Sequence, residues 1–304
     1  MSRIYDALQR AERERRAQGQ AGVPETAEPF TAPGASDPLA VSAVTLDGIA
    51  LRPWNPSMSS LPTLGDDGES IEQFHGLRSQ IYQHRDQAPL KTILVSSGMP
   101  GEGKTFVAAN LAMSLAHNRN HKVLLIDADL RRPVLHTILG APIMPGLSDY
   151  LAGVAGVDDI LQRNENPRMV ESGRVRNVPD LAFIPAGASG ENFLELIANH
   201  RIEELIANLS PHFDWILIDS PPVLAFADAI DLARAADAVL LVARAATTPF
   251  NVAQRAQAAF SNSRILGFVL NAVKDAPRRG SYDYYGKPEE ARGSKARKDQ
   301  RRPG

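Results

Sequence analysis

Residues 98–105 read GMPGEGKT and stand between an apolar run, KTILVSS, and a helical pattern, TFVAANLAMSLAHN. They satisfy G-x-x-x-x-G-K-[ST] in the strand–turn–helix setting that this pattern needs. Glycines let successive backbone N–H groups turn inward around phosphate oxygens, and the helix that follows presents its positive N-terminal end to the same anion. Gly98, Pro100, Gly101, Glu102 and Gly103 are therefore expected to cradle a nucleotide, Lys104 to hold its β- and γ-phosphates, and Thr105 to ligate magnesium.

The same alternation continues along the chain. KVLLIDADL, LAFIPAG, WILIDSPP, AVLLVARA and ILGFVLNAV are near-continuous apolar runs, separated by helical patterns such as NFLELIANHRIEELIANL and VAQRAQAAFSN. Strands of this kind are buried on both faces, so the expected fold is α/β, a doubly wound, mainly parallel sheet with helices on either side. At 304 residues and 43% hydrophobic, the chain has the apolar content for such a core. We place that domain at residues 69–275, opening on the helix ESIEQFHGLRSQIYQHR. Before it, residues 1–18 read as a short charged helix, and residues 19–68, with seven prolines and no sustained period, as a disordered linker. After it, residues 276–304 read as a flexible basic tail, with nine Lys or Arg against four Asp or Glu.

Composition excludes several chemistries. No cysteine is present, which removes disulfides, thiolate metal sites and cysteine nucleophiles and suits a reducing compartment. A net charge of -2 argues against general nucleic-acid binding. No run reaches the roughly 18 apolar residues that cross a bilayer, and the charged start MSRIYDALQRAERERR is unlike a signal peptide. The expected location is the cytoplasm, with any recruitment to the inner face of the cell membrane made through a partner.

Two further stretches carry acidic residues at strand ends, where ligands of open α/β sheets gather: Asp127 and Asp129 in LLIDADLRRP, and Asp219 in WILIDSPP. Near a phosphate loop they are candidate magnesium ligands or a base for the phosphoryl acceptor. Helix capping and turns also recruit Asp at such positions. Asn271, at the end of the last apolar run, is a candidate contact to the base. No Asn-Lys-x-Asp stretch that would read guanine is found, so ATP is the expected nucleotide.

SSGMPGEGKT, LLIDADLRRP and WILIDSPP, with GLSDYLAG and VLLVARAATT at similar relative positions, resemble the bacterial tyrosine kinases of capsule and exopolysaccharide synthesis over about residues 69–275. The resemblance implies a P-loop NTPase of the deviant-Walker type and an ATP- and magnesium-dependent protein-tyrosine autokinase. Lys104 and Thr105 would serve phosphates and magnesium, Asp127 would act near the attacking tyrosine hydroxyl, and Asp129 and Asp219 would complete the metal site. It also gives SYDYYG a meaning, since such kinases phosphorylate C-terminal tyrosines of neighbouring subunits in a ring; Tyr282, Tyr284 and Tyr285 become the expected acceptors. A second copy of the chain and a membrane-spanning polysaccharide chain-length regulator are the implied partners. Against a partitioning-type ATPase, Met99 stands where that group carries an extra loop lysine; a nucleotide-dependent scaffold without kinase activity is the other alternative.

Overall fold

The computed structural model describes residues 48–65, 68–117, 121–166, 168–171, 174–187 and 200–273. The N-terminal helix expected before residue 18, the segment around Asn192 and the tail tyrosines lie outside the described residues.

Ten strands are described. Eight form one sheet in the order β1-β4-β7-β3-β8-β2-β9-β10. In chain order they are β1 (Ala50–Arg52), β2 (Thr92–Ser97), β3 (Val123–Asp127), β4 (Gln162–Asn164), β7 (Leu181–Ile184), β8 (Trp215–Asp219), β9 (Ala238–Arg244) and β10 (Ile265–Asn271), while β5 (Arg168–Glu171) and β6 (Arg174–Asn177) make a separate antiparallel pair. From β7 to β10 every pairing is parallel; β4 runs antiparallel to β7, and β1 is parallel to β4. The expectation of a mainly parallel α/β sheet holds.

Alternation of side chains along the central strands builds two cores, one on each face. Ile93, Val95, Val123, Leu125, Trp215 and Leu217 point to one, and Leu94, Leu124, Ile126, Ile216 and Ile218 to the other. Both sets are buried, which is why these strands read as continuous apolar runs. On the first face lie α1 (Glu69–Gln87), α2 (Lys104–Ala116) and α3 (Leu135–Leu139). On the second lie α4 (Leu147–Leu151), α5 (Val157–Ile160), α6 (Arg201–Leu209), α7 (Asp228–Leu232) and residues of α8 (Phe250–Ala259). Helix α1 starts at the expected residue; its Phe74 packs against Phe106 of α2 at 5.9 Å between ring centroids.

The linker expected to run to residue 68 ends sooner. Between Ile49 and Leu64 the chain is part of the fold: β1 pairs with β4, and Trp54, 6% exposed, sets its ring edge-on to Phe183 and donates Nε1–H to Gln162 Oε1 at 3.1 Å. The strap then donates Asn55 N–H to the Gly140 carbonyl and Ser57 N–H to that of Ile138, and buries Leu61 and Leu64. Asn110 of α2 closes it, accepting from the Thr63 hydroxyl at 2.8 Å and donating to the Ser60 carbonyl at 2.9 Å. Prolines made this segment look like a tether, yet Pro62 opens a 3₁₀ turn, a position where a missing N–H costs nothing. Trp54→Ala is expected to lower stability by about 3–4 kcal/mol in urea titration, with the tryptophan's buried volume left as a cavity.

Candidate active site

The strands that carry the expected site residues are neighbours at the middle of the sheet. β2 lies between β8 and β9, and β3 lies beyond β8, so the chain leaves β2 toward one side and returns to the other. The crevice at the carboxyl ends of strands around such a reversal is where ligands bind. The loop after β2 enters it. Gly101 and Gly103 have φ of 83° and 93°, a region that suits glycine, and a Cβ on Gly103 would fall 1.9 Å from Asn271 Nδ2. Helix α2 begins at Lys104, so its unpaired first N–H groups and positive end open on the loop.

Register brings the acids together. Asp127, the last residue of β3, stands directly opposite Asp219, the last of β8. Lys104 Nζ reaches back to them, 2.7 Å from Asp129 Oδ2 and 3.8 Å from Asp219 Oδ1, and donates to Thr105 Oγ1 at 3.2 Å. Asp127 is fully buried; its Oδ2 accepts the Leu135 N–H at 3.1 Å at the start of α3, and its Oδ1 accepts the Asp129 N–H at 3.3 Å. Asp129 Oδ1 accepts from Arg132 N–H at 3.2 Å. The capping role that any Asp after a strand can fill is thus real for Asp127, alongside its place in the cluster.

Electrostatics follow from three buried carboxylates around one ammonium. Burial alone would lower the Lys104 pKa, but Asp219 and Asp129 outweigh it and hold the ammonium above its ordinary value. Burial, then the charge of Asp219, pushes Asp127 well above the usual carboxylate range. Burial pushes Asp219 up to about 6, with Lys104 and Thr105 opposing it. A raised carboxyl pKa stabilises the fold fully below the unfolded value, near 4, and that contribution is lost as pH rises through about 6. Asp219→Asn should therefore stabilise the nucleotide-free protein by on the order of 2 kcal/mol near pH 7.5, a gain that falls to about half near pH 5 and closes toward pH 4. Thermal melts across that range check it.

The residues fit a magnesium ion. Both carboxylate oxygens of Asp219 are buried without a hydrogen-bond partner, a costly arrangement for an anion unless a cation supplies the missing partner. Among the described residues no group of three His, Cys, Asp or Glu side chains could hold a metal by itself. Magnesium asks for less, commonly one or two carboxylates with phosphate oxygens and water.

All the loop, acid and asparagine residues expected from the sequence come to one place. Some of them spend their side chains on the loop itself: Glu102 is 4% exposed and bonded to Met99 N–H, and Asn271 donates Nδ2–H to the Glu102 carbonyl at 3.0 Å. Sequence reasoning missed Thr248 and Arg244, which touch the loop from the end of β9, and Asp228, whose buried carboxylate pairs with Arg131 Nε at 2.8 Å. Arg131 also lies 4.5 Å from the centre of the Phe226 ring, so it ties the loop after β3 to the loop after β8. These partners are separated by roughly 100 residues or more, and only an apolar-run reading with a known register could have paired them.

The AAA domain family matches residues 90–253, more than half of the chain. Tyrosine-protein kinase CpsD of Streptococcus agalactiae is 33% identical over 225 residues, 73% of this chain and 92% of that protein. Tyrosine-protein kinase wzc of Salmonella typhimurium is 32% identical over 219 residues, 71% of this chain but 29% of that protein. The chain thus spans under a third of the length of several of the relatives it matches. Among solved structures, the BceF tyrosine kinase domain superposes with a TM-score of 0.59 at 30% identity, covering 71% of this chain and 81% of that one. This is a P-loop NTPase fold, and the chain belongs to the AAA domain family and, with CpsD and wzc, to the bacterial tyrosine-protein kinases.

Proposed function

We propose that the chain is an ATP- and magnesium-dependent protein-tyrosine autokinase that controls synthesis and export of an extracellular polysaccharide. The observation that carries this reading is the Lys104 ammonium at the start of α2, enclosed by the strand-end carboxylates Asp129 and Asp219 with Asp127 behind them. Loop N–H groups and Lys104 orient and neutralise the triphosphate. Thr105, Asp129 and Asp219 would hold magnesium, which when bound offsets charge on the β- and γ-phosphate oxygens. The phenolic oxygen of the acceptor attacks the γ-phosphorus, the bond from that phosphorus to the β–γ bridging oxygen breaks, and ADP leaves. Asp127, whose carboxyl is held above the usual carboxylate range by burial and by the charge of Asp219, takes the phenolic proton.

The acceptors in this proposal are Tyr282, Tyr284 and Tyr285, presented in trans by a second copy of the chain in a ring. Among the described residues no helix is long and apolar enough to cross a membrane. We also assign membrane recruitment of the kinase to a partner, a membrane-spanning polysaccharide chain-length regulator.

The reading is tested by mixing two inactive variants. Lys104→Met supplies an intact tail and no active site; the triple Tyr→Phe variant supplies the site and no acceptors. Phosphate on the Lys104→Met tail, seen only in the mixture, supports transfer in trans. A mixture as silent as its parts, when wild type is active, contradicts it.

A further inference from the structure

Glu102 poses a problem that phosphate binding does not solve. It is an acidic side chain within a loop built to receive a polyanion, at a position where the motif accepts any residue. The structure shows it 4% exposed and turned onto protein donors: Oε2 accepts the Met99 N–H at 2.8 Å, and Oε1 accepts the Thr248 hydroxyl. A carboxylate held this way closes the loop on itself and ties it to the segment after β9.

Other bonds run across the same seam. Thr248 Oγ1 is itself fixed, accepting the Arg244 N–H at 2.9 Å, while Arg244 Nη1 donates to the Gly101 carbonyl at 3.3 Å. From the end of β10, Asn271 Nδ2 donates to the Glu102 carbonyl at 3.0 Å, and its Oδ1 accepts the Ala272 N–H at 2.8 Å. The two strand ends are joined in turn by Ala245 N–H on the Asn271 carbonyl. Beneath the loop, Val252 of α8 lies 3.1 Å from where a Gly98 Cβ would stand.

We infer that Glu102, Thr248 and Asn271 form a clamp that sets the phosphate loop in its nucleotide-receiving shape before the nucleotide arrives. They are positioning residues, acting through the loop rather than on the reacting atoms. A loop already shaped loses less freedom on binding, so the clamp belongs to affinity more than to the chemical step.

The test is calorimetric binding of MgADP to the full chain, with steady-state ATP kinetics beside it. Thr248→Val removes the hydroxyl donor to a buried carboxylate and should weaken MgADP about tenfold, raising KM for ATP by a similar factor and kcat changing less. Thr248→Ser should restore binding, and Asn271→Ala should weaken it by several-fold. MgADP binding by Thr248→Val within about twofold of wild type overturns the clamp, as does a Thr248→Ser protein no better than valine. Should Thr248→Val fail to fold, Glu102→Gln, which weakens the acceptor for both Met99 N–H and the Thr248 hydroxyl, decides by the same twofold criterion. The clamp rests on nucleotide binding alone, so a chain that binds MgADP yet transfers no phosphate to tyrosine would defeat the kinase proposal and leave this one standing.

Discussion

Lys104→Met is expected to lower phosphate incorporation by at least about 10²-fold while leaving the chain folded, measured as phosphate transferred per protein beside a thermal melt. Methionine keeps most of the side chain's length and removes the charge together with its N–H donors. That charge is the cation paired with both Asp129 and Asp219, and the ammonium is the donor placed to meet the charge that develops on the transferred phosphoryl group. Folding should survive because the carboxylates can neutralise themselves: Asp127 and Asp219 are already pushed upward, and without the ammonium they rise further and take up protons more readily. The variant should therefore gain more stability than wild type as pH falls from about 7 to about 5.

Replacing Tyr282, Tyr284 and Tyr285 together by phenylalanine is the second large effect: phosphotyrosine on the chain should drop more than about tenfold with MgADP affinity unchanged, because the substitutions leave the phosphate loop, Lys104 and the acids around it intact. The consequence of their phosphorylation is electrostatic. The tail holds nine Lys or Arg against four Asp or Glu, a surplus of five positive charges. Each phosphate brings about 1.5 to 2 negative charges, so three bring about 4.5 to 6, roughly cancel the surplus and change how the tail meets an anionic or cationic surface. Cation-exchange retention of the phosphorylated and unphosphorylated chains, measured beside peptide mapping, reads that change.

The centre of the sheet was legible because β2, β3 and β8 are buried on both faces and therefore spelled as unbroken apolar runs, each ending in the loop or an acid. Their order in the sheet was not written in those runs, yet it is the register that sets Asp127 against Asp219. The periphery was harder to read. β1 and β4 are three residues each, with Leu51, Arg163 and Asn164 among them, too short for a period to emerge. β5 and β6, RMVE and RVRN, are four residues each with charged or polar ends, and among the described residues they pair with each other. The folded strap was hidden by its prolines, and what orders it is Trp54 on Phe183 and Gln162, contacts over 100 residues away along the chain. Helices α3, α4 and α5 have four or five residues, less than the length over which an amphipathic stripe can be recognised. Thr248 stood within the quoted stretch VLLVARAATT, but nothing local joins it to Glu102, 146 residues earlier.

Intact and peptide mass spectrometry after incubation with ATP and magnesium tests the central claim most directly, with Lys104→Met and the triple Tyr→Phe variant beside wild type and the cytosolic segment of the candidate membrane regulator present in a parallel reaction. The account predicts ATP-dependent phosphate on Tyr282, Tyr284 or Tyr285 that is absent from both variants. Hydrolysis of ATP with no phosphate on those tyrosines, with and without the regulator segment, would contradict it.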